Sequence, residues 1–221
     1  ELGSGFKIAM RDLSIRGAGN LLGAQQHGFI DSVGFDLYSQ MLTEAVQRKQ
    51  GKNTQTEKTS VEIDLGIDAY LPTTYIEDER QKIEIYKRIR ELETIDMLDE
   101  LQDDLMDRFG EYPDEVAHLL AVGELKMNGD RALLERIRKQ EQLITVVLSK
   151  VGTKAYTVEQ LFKSLGHTKL KATLGVEKEQ MHLKLTIPNG MKTMVWLHEV
   201  QSFVADLRKE RYQKMKEKMT Q

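Results

Sequence analysis

The feature that most constrains this chain is a run of fourteen residues without one apolar side chain. The run QRKQGKNTQTEKTS occupies positions 47–60. A segment that buries no apolar surface cannot offset the entropy lost when it is ordered, so no shared core can form through it. We therefore expect two separately organised parts, residues 1–50 and residues 61–210. The sequence predicts a linker at 51–60 between them and a charged tail at 211–221.

The first part is punctuated by glycines, which favour tight turns and close backbone approach. Five glycines occur between Arg16 and position 34. Asp12 precedes Arg16 by four residues, the helical spacing at which a carboxylate can orient a guanidinium. An arginine held by such turns is suited to anionic oxygens, because its planar fork pairs with them bidentately. From the residues alone, an Arg16 that only ties two helices together is an equal alternative. The glycines are Gly17, Gly19, Gly23, Gly28 and Gly34.

The stretch DLSIRGAGNLLGAQQHGFIDSVGFDLY resembles the TRG motif, named for translocation in RecG, which RecG shares with the bacterial transcription-repair coupling factors. The resemblance implies a helical hairpin and loop that follow the second motor lobe and couple ATP hydrolysis to movement on double-stranded DNA. Arg16 and Gln26 match the functional arginine and glutamine of the motif, and Gly17 and Gly19 match its glycines. His27 stands where many relatives carry a small residue.

The second part begins with a strand and continues with helices. Val61, Ile63 and Leu65 alternate with acids, which predicts a strand. Apolar residues at helical spacing then predict three short-linked helices, with Gly110 capping the second and Pro113 opening the third. The helical stripes are Ile83, Tyr86, Ile89 and Leu92, then Leu98, Leu101, Leu105 and Phe109, then Val116, Leu119, Leu120 and Leu125.

Beyond Asn128 the apolar period shortens. The patterns predict strands at 143–148, 169–174 and 181–187, and a capping box of Thr157 with Gln160 opens a short helix that Gly166 is expected to close. A final amphipathic helix runs from about Val195 to Leu207. The predicted fold class is therefore α+β: an N-terminal helical hairpin linked to a domain with a helical group and a small antiparallel sheet.

The segments DLGIDAYLPTTYIEDERQKIEIYKRI and ELQDDLMDRFGEYPDEVAHLL are similar to the carboxy-terminal domain of the transcription-repair coupling factors, an appendage that RecG lacks. The resemblance implies a parent protein that displaces stalled RNA polymerase on double-stranded DNA and recruits UvrA. It also implies that the domain docks within its own protein and masks the UvrA-binding region. A fragment of a RecG-like branch-migration helicase and a non-enzymatic interaction domain are the alternatives.

The sequence lacks the residues that a motor needs. No G-x-x-x-x-G-K-[ST] loop is present, so we expect no catalytic residue and no cofactor here, with ATP and Mg bound by motor motifs upstream. The first residue is Glu1, which fits a piece of a longer protein. His27, His118, His167, His182 and His198 show no metal-ligand spacing, and Ser149, Ser164 and Ser202 have no base at a plausible spacing.

Composition sets the remaining limits. The net charge of −3 argues against free-standing nucleic-acid binding, and cysteine is absent, which fits a reducing cytoplasm. No apolar run approaches a membrane span, so no membrane partner is expected. Positions 77–115 hold fifteen Asp and Glu residues against six Lys and Arg, a balance of −9. This acidic region could attract a basic protein surface, although a merely solvated helical face explains it equally well.

Overall fold

A computed structural model of the chain describes residues 57–220. Within this range the molecule divides into two compact units, one of residues 62–127 and one of residues 57–61 with 128–220. Helices and strands occur together, so the predicted α+β class is confirmed. The helical hairpin predicted for residues 1–50 lies outside the described residues, as do linker positions 51–56.

The first unit contains a short strand and a helical group. Strand β1 spans Glu62–Asp64 and buries Ile63, as the alternation predicts. Helix α1 spans Glu79–Arg90, helix α2 spans Ile95–Phe109, and helix α3 begins at Asp114 and ends at Arg131. The last four residues of α3 belong to the second unit.

Local chemistry sets where these helices begin and end. Asp78 precedes α1, and its side chain accepts a hydrogen bond from the backbone N–H of Arg80. At the start of α2, the Thr94 side chain likewise accepts a hydrogen bond from the backbone N–H of Met97. Gly110 ends α2 at φ 83°, a left-handed conformation that costs little without a side chain. The predicted cap at Gly110 is therefore confirmed, whereas the caps at Asp78 and Thr94 were not predicted.

The second unit is built on four antiparallel strands in the order β2-β3-β5-β4. Strand β2 spans Leu134–Gln140, β3 Leu143–Leu148, β4 Lys171–Glu177 and β5 Gln180–Thr186. One face of the sheet is buried through residues that include Ile144, Val146, Leu183 and Leu185. Helices α4 (Lys150–Ala155), α5 (Val158–His167) and α6 (Thr193–Thr220) complete the unit.

Several details of this unit differ from the sequence-based expectation. Strand β2 and helix α4 were not predicted. Gly166 does not close α5, which continues to His167 with Thr168 after it, although the predicted Thr157–Gln160 capping box is present. Lys178 and Glu179 form the tight β4–β5 turn with φ values of 51° and 66°, a conformation that usually selects glycine or asparagine. Residues 211–220 of the expected charged tail continue α6 as helix.

The end of α3 is held by groups from distant parts of the second unit. The Tyr156 hydroxyl donates to the carbonyl of Ala132 at 2.6 Å, and the Arg211 guanidinium donates to the carbonyl of Arg131 at 2.7 Å. Val61 N–H donates to Asp130 Oδ1 at 2.8 Å. These donors satisfy carbonyl and carboxylate groups that a helix end otherwise leaves without a partner. Burial raises the pKa of Tyr156, so its hydroxyl remains a donor.

Leu133 follows α3 with φ 63°, and its carbonyl accepts from the N–H and hydroxyl of Ser149 at 3.0 and 2.8 Å. The same carbonyl leaves no room at Gly152, where a Cβ would lie 2.4 Å from the oxygen.

None of the described helices is both long and apolar enough to cross a bilayer.

Candidate docking surface

Helix α2 presents carboxylates on the side that faces away from the core. Leu98, Leu101 and Leu105 are buried, and at 100° per residue they share one face. The opposite and flanking positions carry acids that are exposed and make no hydrogen bond or ion pair with any described residue. We define the acidic surface as Asp96, Asp99, Glu100, Asp103 and Asp107.

One acid of α2 is neutralised and fixes the helix against α1. The guanidinium of Arg88 donates to Asp104 Oδ2 at 2.5 Å, and Arg108 donates to the same oxygen at 3.1 Å. Arg108 also reaches Glu84 of α1 at 3.1 Å. The hydrogen bond from Arg88 is the main cause that lowers the pKa of the Asp104 carboxyl. This network holds the two helices together and leaves the acidic surface uncompensated.

Apolar side chains interrupt the acidic surface. Ile95 is 52% exposed and Met106 43% exposed, and their positions on α2 differ by only about 20° around the helix axis. Asp99 and Asp103 lie beside them on the helix. A surface that mixes unpaired carboxylates with exposed apolar groups is chemically matched to a basic surface that carries apolar side chains. The same carboxylates repel the phosphates of DNA.

The structure does not describe the residues predicted for translocation coupling. Arg16, Gly17, Gly19, Gln26 and His27 all lie outside the described residues. Their roles stay predictions that rest on the motif. The acidic region, by contrast, could be predicted from the sequence. The sequence did not show which of its acids form ion pairs with arginine. Which of its acids meets Arg88 or Arg108 depends on how α1 and α2 pack.

Three of the described histidines lie near oxygen atoms of other residues. His118 Nδ1 lies 2.8 Å from the carbonyl of Asp68, and His167 Nδ1 lies 2.6 Å from Asp206 Oδ2. His182 lies 3.9 Å from Glu177. Across residues 57–220 no group of three or more His, Asp or Glu residues is placed to hold a metal ion.

A cavity of about 150 Å³ opens beside α5 and α6 in the second unit. Glu199 is 9% exposed there, and its Oε2 accepts from the N–H of Lys169 at 3.2 Å. Ser164 is fully buried, and its Oγ has no hydrogen-bond partner within residues 57–220. No described base therefore contacts this hydroxyl, and the cavity does not contain an activated serine. The lining residues are Ser164, His167, Thr168, Glu199, Ser202, Phe203 and Asp206.

Comparison with known proteins decides the family. A family model described as the TRCF domain matches residues 65–178, which is just over half of the chain and includes the acidic surface. The chain belongs to the transcription-repair coupling factor family. The resemblance inferred from the two sequence segments is thereby confirmed.

Relatives in this family match almost the whole chain. The transcription-repair-coupling factor of Bacillus subtilis (strain 168) is 47% identical over 209 residues, covering 94% of this chain and 18% of the relative. That of Staphylococcus haemolyticus (strain JCSC1435) is 50% identical over 205 residues, covering 92% and 17%. That of Staphylococcus aureus (strain USA300) is 52% identical over 190 residues, covering 86% and 16%. The chain thus spans about a sixth of the length of these relatives.

A solved structure of the family has the same fold. The crystal structure of a C-terminal domain of transcription-repair coupling factor superposes with a TM-score of 0.69 at 38% sequence identity. The match covers 73% of this chain and 99% of that domain. The described α+β fold is therefore that of a C-terminal domain in the transcription-repair coupling factor family.

Proposed function

We propose that the chain is the C-terminal part of an ATP-dependent double-stranded DNA translocase that displaces stalled RNA polymerase. The same protein recruits UvrA, so that excision repair follows transcription arrest. Support comes from the family membership and from relatives whose name joins transcription to repair. The protein acts in the bacterial cytoplasm.

Within that protein, the first fifty residues transmit the stroke of the motor. Arg16 and Gln26 contact the moving parts or the DNA, and Gly17 and Gly19 shape the turns that present them. ATP and Mg bind upstream of this chain, which supplies no catalytic residue of its own. The basis for this part of the proposal is the R-G-x-G-x-x-L-G-x-x-Q pattern at residues 16–26.

The domain that begins near Val61 acts as an intramolecular brake. The observation that carries this proposal is the acidic surface, whose five carboxylates have no partner among the described residues while Ile95 and Met106 are exposed beside them. Docking on a basic surface of the same protein neutralises these charges and masks the UvrA-binding region. Engagement of polymerase or DNA releases the domain.

The test measures UvrA affinity in the whole protein. If the docked form holds nine-tenths of the population, deletion of all residues after Ser60 should raise the apparent affinity for UvrA about tenfold, because only the undocked fraction binds. The triple variant Asp99→Lys/Asp103→Lys/Asp107→Lys should act in the same direction. Its effect should be larger at low salt, where charge attraction is least screened.

A matched control changes the same charge elsewhere in the first unit. Glu62, Asp64 and Glu111 are exposed and unpaired among the described residues, so Glu62→Lys/Asp64→Lys/Glu111→Lys alters net charge equally without touching the acidic surface. We expect this control to bind UvrA as the parent does. An unchanged UvrA affinity in the deletion variant would show that the domain is not a brake.

A further inference from the structure

The net charge of −3 conceals two opposite halves. Residues 62–127 carry 19 Asp and Glu against 7 Lys and Arg, a balance of −12. The second unit, residues 57–61 with 128–221, carries 11 Asp and Glu against 19 Lys and Arg, a balance of +8. A basic excess of this size within one compact unit is the usual electrostatic mark of a polyanion-binding surface.

The strand register shows where part of this charge lies. Arg138 pairs with Thr145, Thr145 with Lys184, and Lys184 with Thr173, so one row of side chains crosses all four strands. Because successive side chains alternate across a sheet, this row lies opposite the buried face that contains Val146 and Leu183. Arg136 and Lys171 occupy the same side, two residues along their strands from Arg138 and Thr173.

Helix α6 lies on the other side of the sheet. Lys139, whose neighbour on β3 is the buried Ile144, places its ammonium 5.6 Å from the ring centroid of Trp196 on α6. Helix α6 therefore covers the face opposite the row. We define the open basic face as Arg136, Arg138, Lys171 and Lys184 together with Thr145 and Thr173.

The cations of this face are only weakly compensated. Arg136 lies 3.8 Å from Glu135 and Lys184 lies 3.8 Å from Glu177, and these side chains remain 44% and 40% exposed. Exposed pairs at that separation contribute little to either partner. Arg138 and Lys171 make no ion pair with any described residue and are exposed. Four cations and two hydroxyl donors thus lie on one side of the sheet, where Val147, the neighbour of Arg136, is the buried residue among them.

We propose that the open basic face binds the phosphate backbone of duplex nucleic acid without sequence preference. Arg, Lys and Thr side chains are ordinary donors to phosphate oxygens, and strands about 4.8 Å apart set them in a flat array about 14 Å wide. The face carries no Phe, Tyr or Trp on which unpaired bases could stack, which disfavours single strands. It also carries no exposed large apolar residue of the kind that anchors a protein interface.

The test titrates the 221-residue chain into a fluorescently labelled 20-base-pair duplex and measures anisotropy at several NaCl concentrations. Four phosphate contacts predict that log K falls with log [NaCl] at a slope of about −3.6. The double variant Arg138→Gln/Lys184→Gln should reduce that slope by about two and weaken binding at least tenfold at about 50 mM NaCl. Circular dichroism checks that the exposed substitutions leave the fold intact.

The control removes two charges from the helical side of the same unit. Lys163 on α5 is 63% exposed and Lys209 on α6 is exposed, so Lys163→Gln/Lys209→Gln makes an equal change in net charge. This variant should keep the parent slope. Equal weakening by both double variants, or no duplex binding at about 50 mM NaCl, would overturn the proposal.

A polyglutamate peptide of matched charge distinguishes the other class of partner. If that peptide binds more tightly than the duplex and loses affinity in Arg138→Gln/Lys184→Gln, the face recognises an acidic protein and the proposal is wrong. Because this assay contains no UvrA and the open basic face shares no residue with the acidic surface, its failure leaves the proposed brake untouched.

Discussion

At the scale of single residues, the approach of Gly152 to the carbonyl of Leu133 leaves no room for a side chain. A Cβ at position 152 would lie 2.4 Å from that oxygen, and backbone cannot rotate away as a side chain can. We expect Gly152→Ala to lower the free energy of unfolding by about 2–4 kcal/mol. Gly166, also helical, has nothing within 4 Å of such a Cβ. Gly166→Ala should instead stabilise by about 0.5–1 kcal/mol. Urea denaturation of both variants checks the contrast, which equal effects would contradict.

Asp104 gives the first unit a defined response to acid. Arg88 and then Arg108 lower the pKa of its carboxyl, so the folded state holds this group ionised more strongly than the unfolded state does. The stabilisation is present above the unfolded pKa and is lost as pH falls through the folded pKa. Asp104→Asn should therefore be less stable than the parent at pH 7, by less than about 1 kcal/mol because the pair is one-third exposed.

The difference between Asp104→Asn and the parent should shrink as the pH falls below about 4. Denaturation at pH 7, 5 and 3 measures it. Asp103→Asn is the control, since this exposed neighbour makes no ion pair with a described residue and should match the parent throughout. A stability gap for Asp104→Asn that stays constant from pH 7 to 3 would rule out the ionised pair as its source.

At the scale of elements, the end of α3 depends on donors from α6 and from the loop after α4. Tyr156 is 7% exposed, and its hydroxyl donates to the carbonyl of Ala132, a fully buried residue. Tyr156→Phe leaves that carbonyl buried without this donor, and we expect a loss of about 1–3 kcal/mol in the free energy of unfolding. Tyr212 on α6 is 70% exposed, so Tyr212→Phe should change nothing. Thermal denaturation of the two variants separates a buried hydrogen bond from a general effect of losing a hydroxyl.

The helices and strands that could be predicted are those whose apolar spacing and capping residues lie within the element itself. Helices α1 and α2 show an apolar stripe with a capping residue at each start, and β5 alternates cleanly. Strand β2 was missed because its outward positions carry Glu135, Arg136 and Arg138, which hide the alternation around Ile137. The β4–β5 turn was missed because Lys178 and Glu179 adopt positive φ without glycine or asparagine. Tertiary pairing overrides local preference at both places.

At the scale of the whole molecule, the chain lacks the nucleotide-binding motif that a motor protein needs. No phosphate-cradling loop occurs in its 221 residues, so we expect no ATP hydrolysis by the chain, with or without DNA. Steady-state phosphate release at the level of a buffer blank is the expected result, with the whole protein as the positive control. Release clearly above the blank, which persists after further purification, would contradict it.

Of the two candidate surfaces, only the acidic surface could be predicted from the sequence. The acidic surface follows from composition, because fifteen acids in thirty-nine residues cannot all be paired by six cations. The open basic face could not be found that way, since its residues come from four strands and are separated by up to about fifty positions. In the net charge of the whole chain, the negative charge of the first unit and the positive charge of the second largely cancel. Only the register of β2, β3, β5 and β4 places Arg138, Lys184 and Lys171 on one side.

The donors that hold the end of α3 also determine how late in synthesis this helix end can be completed. The carbonyls of Arg131 and Ala132 leave the ribosome well before Tyr156, and Arg211 follows last of all. A chain that ends at Thr186 contains the sequence of all four strands but lacks α6, which covers the apolar face of the sheet. Domains made late in translation are the last to close, and uncovered strands of this kind are the surfaces that chaperones bind and proteases cleave. We expect a product that ends before Arg211 to be degraded, so that this domain accumulates only in its complete form.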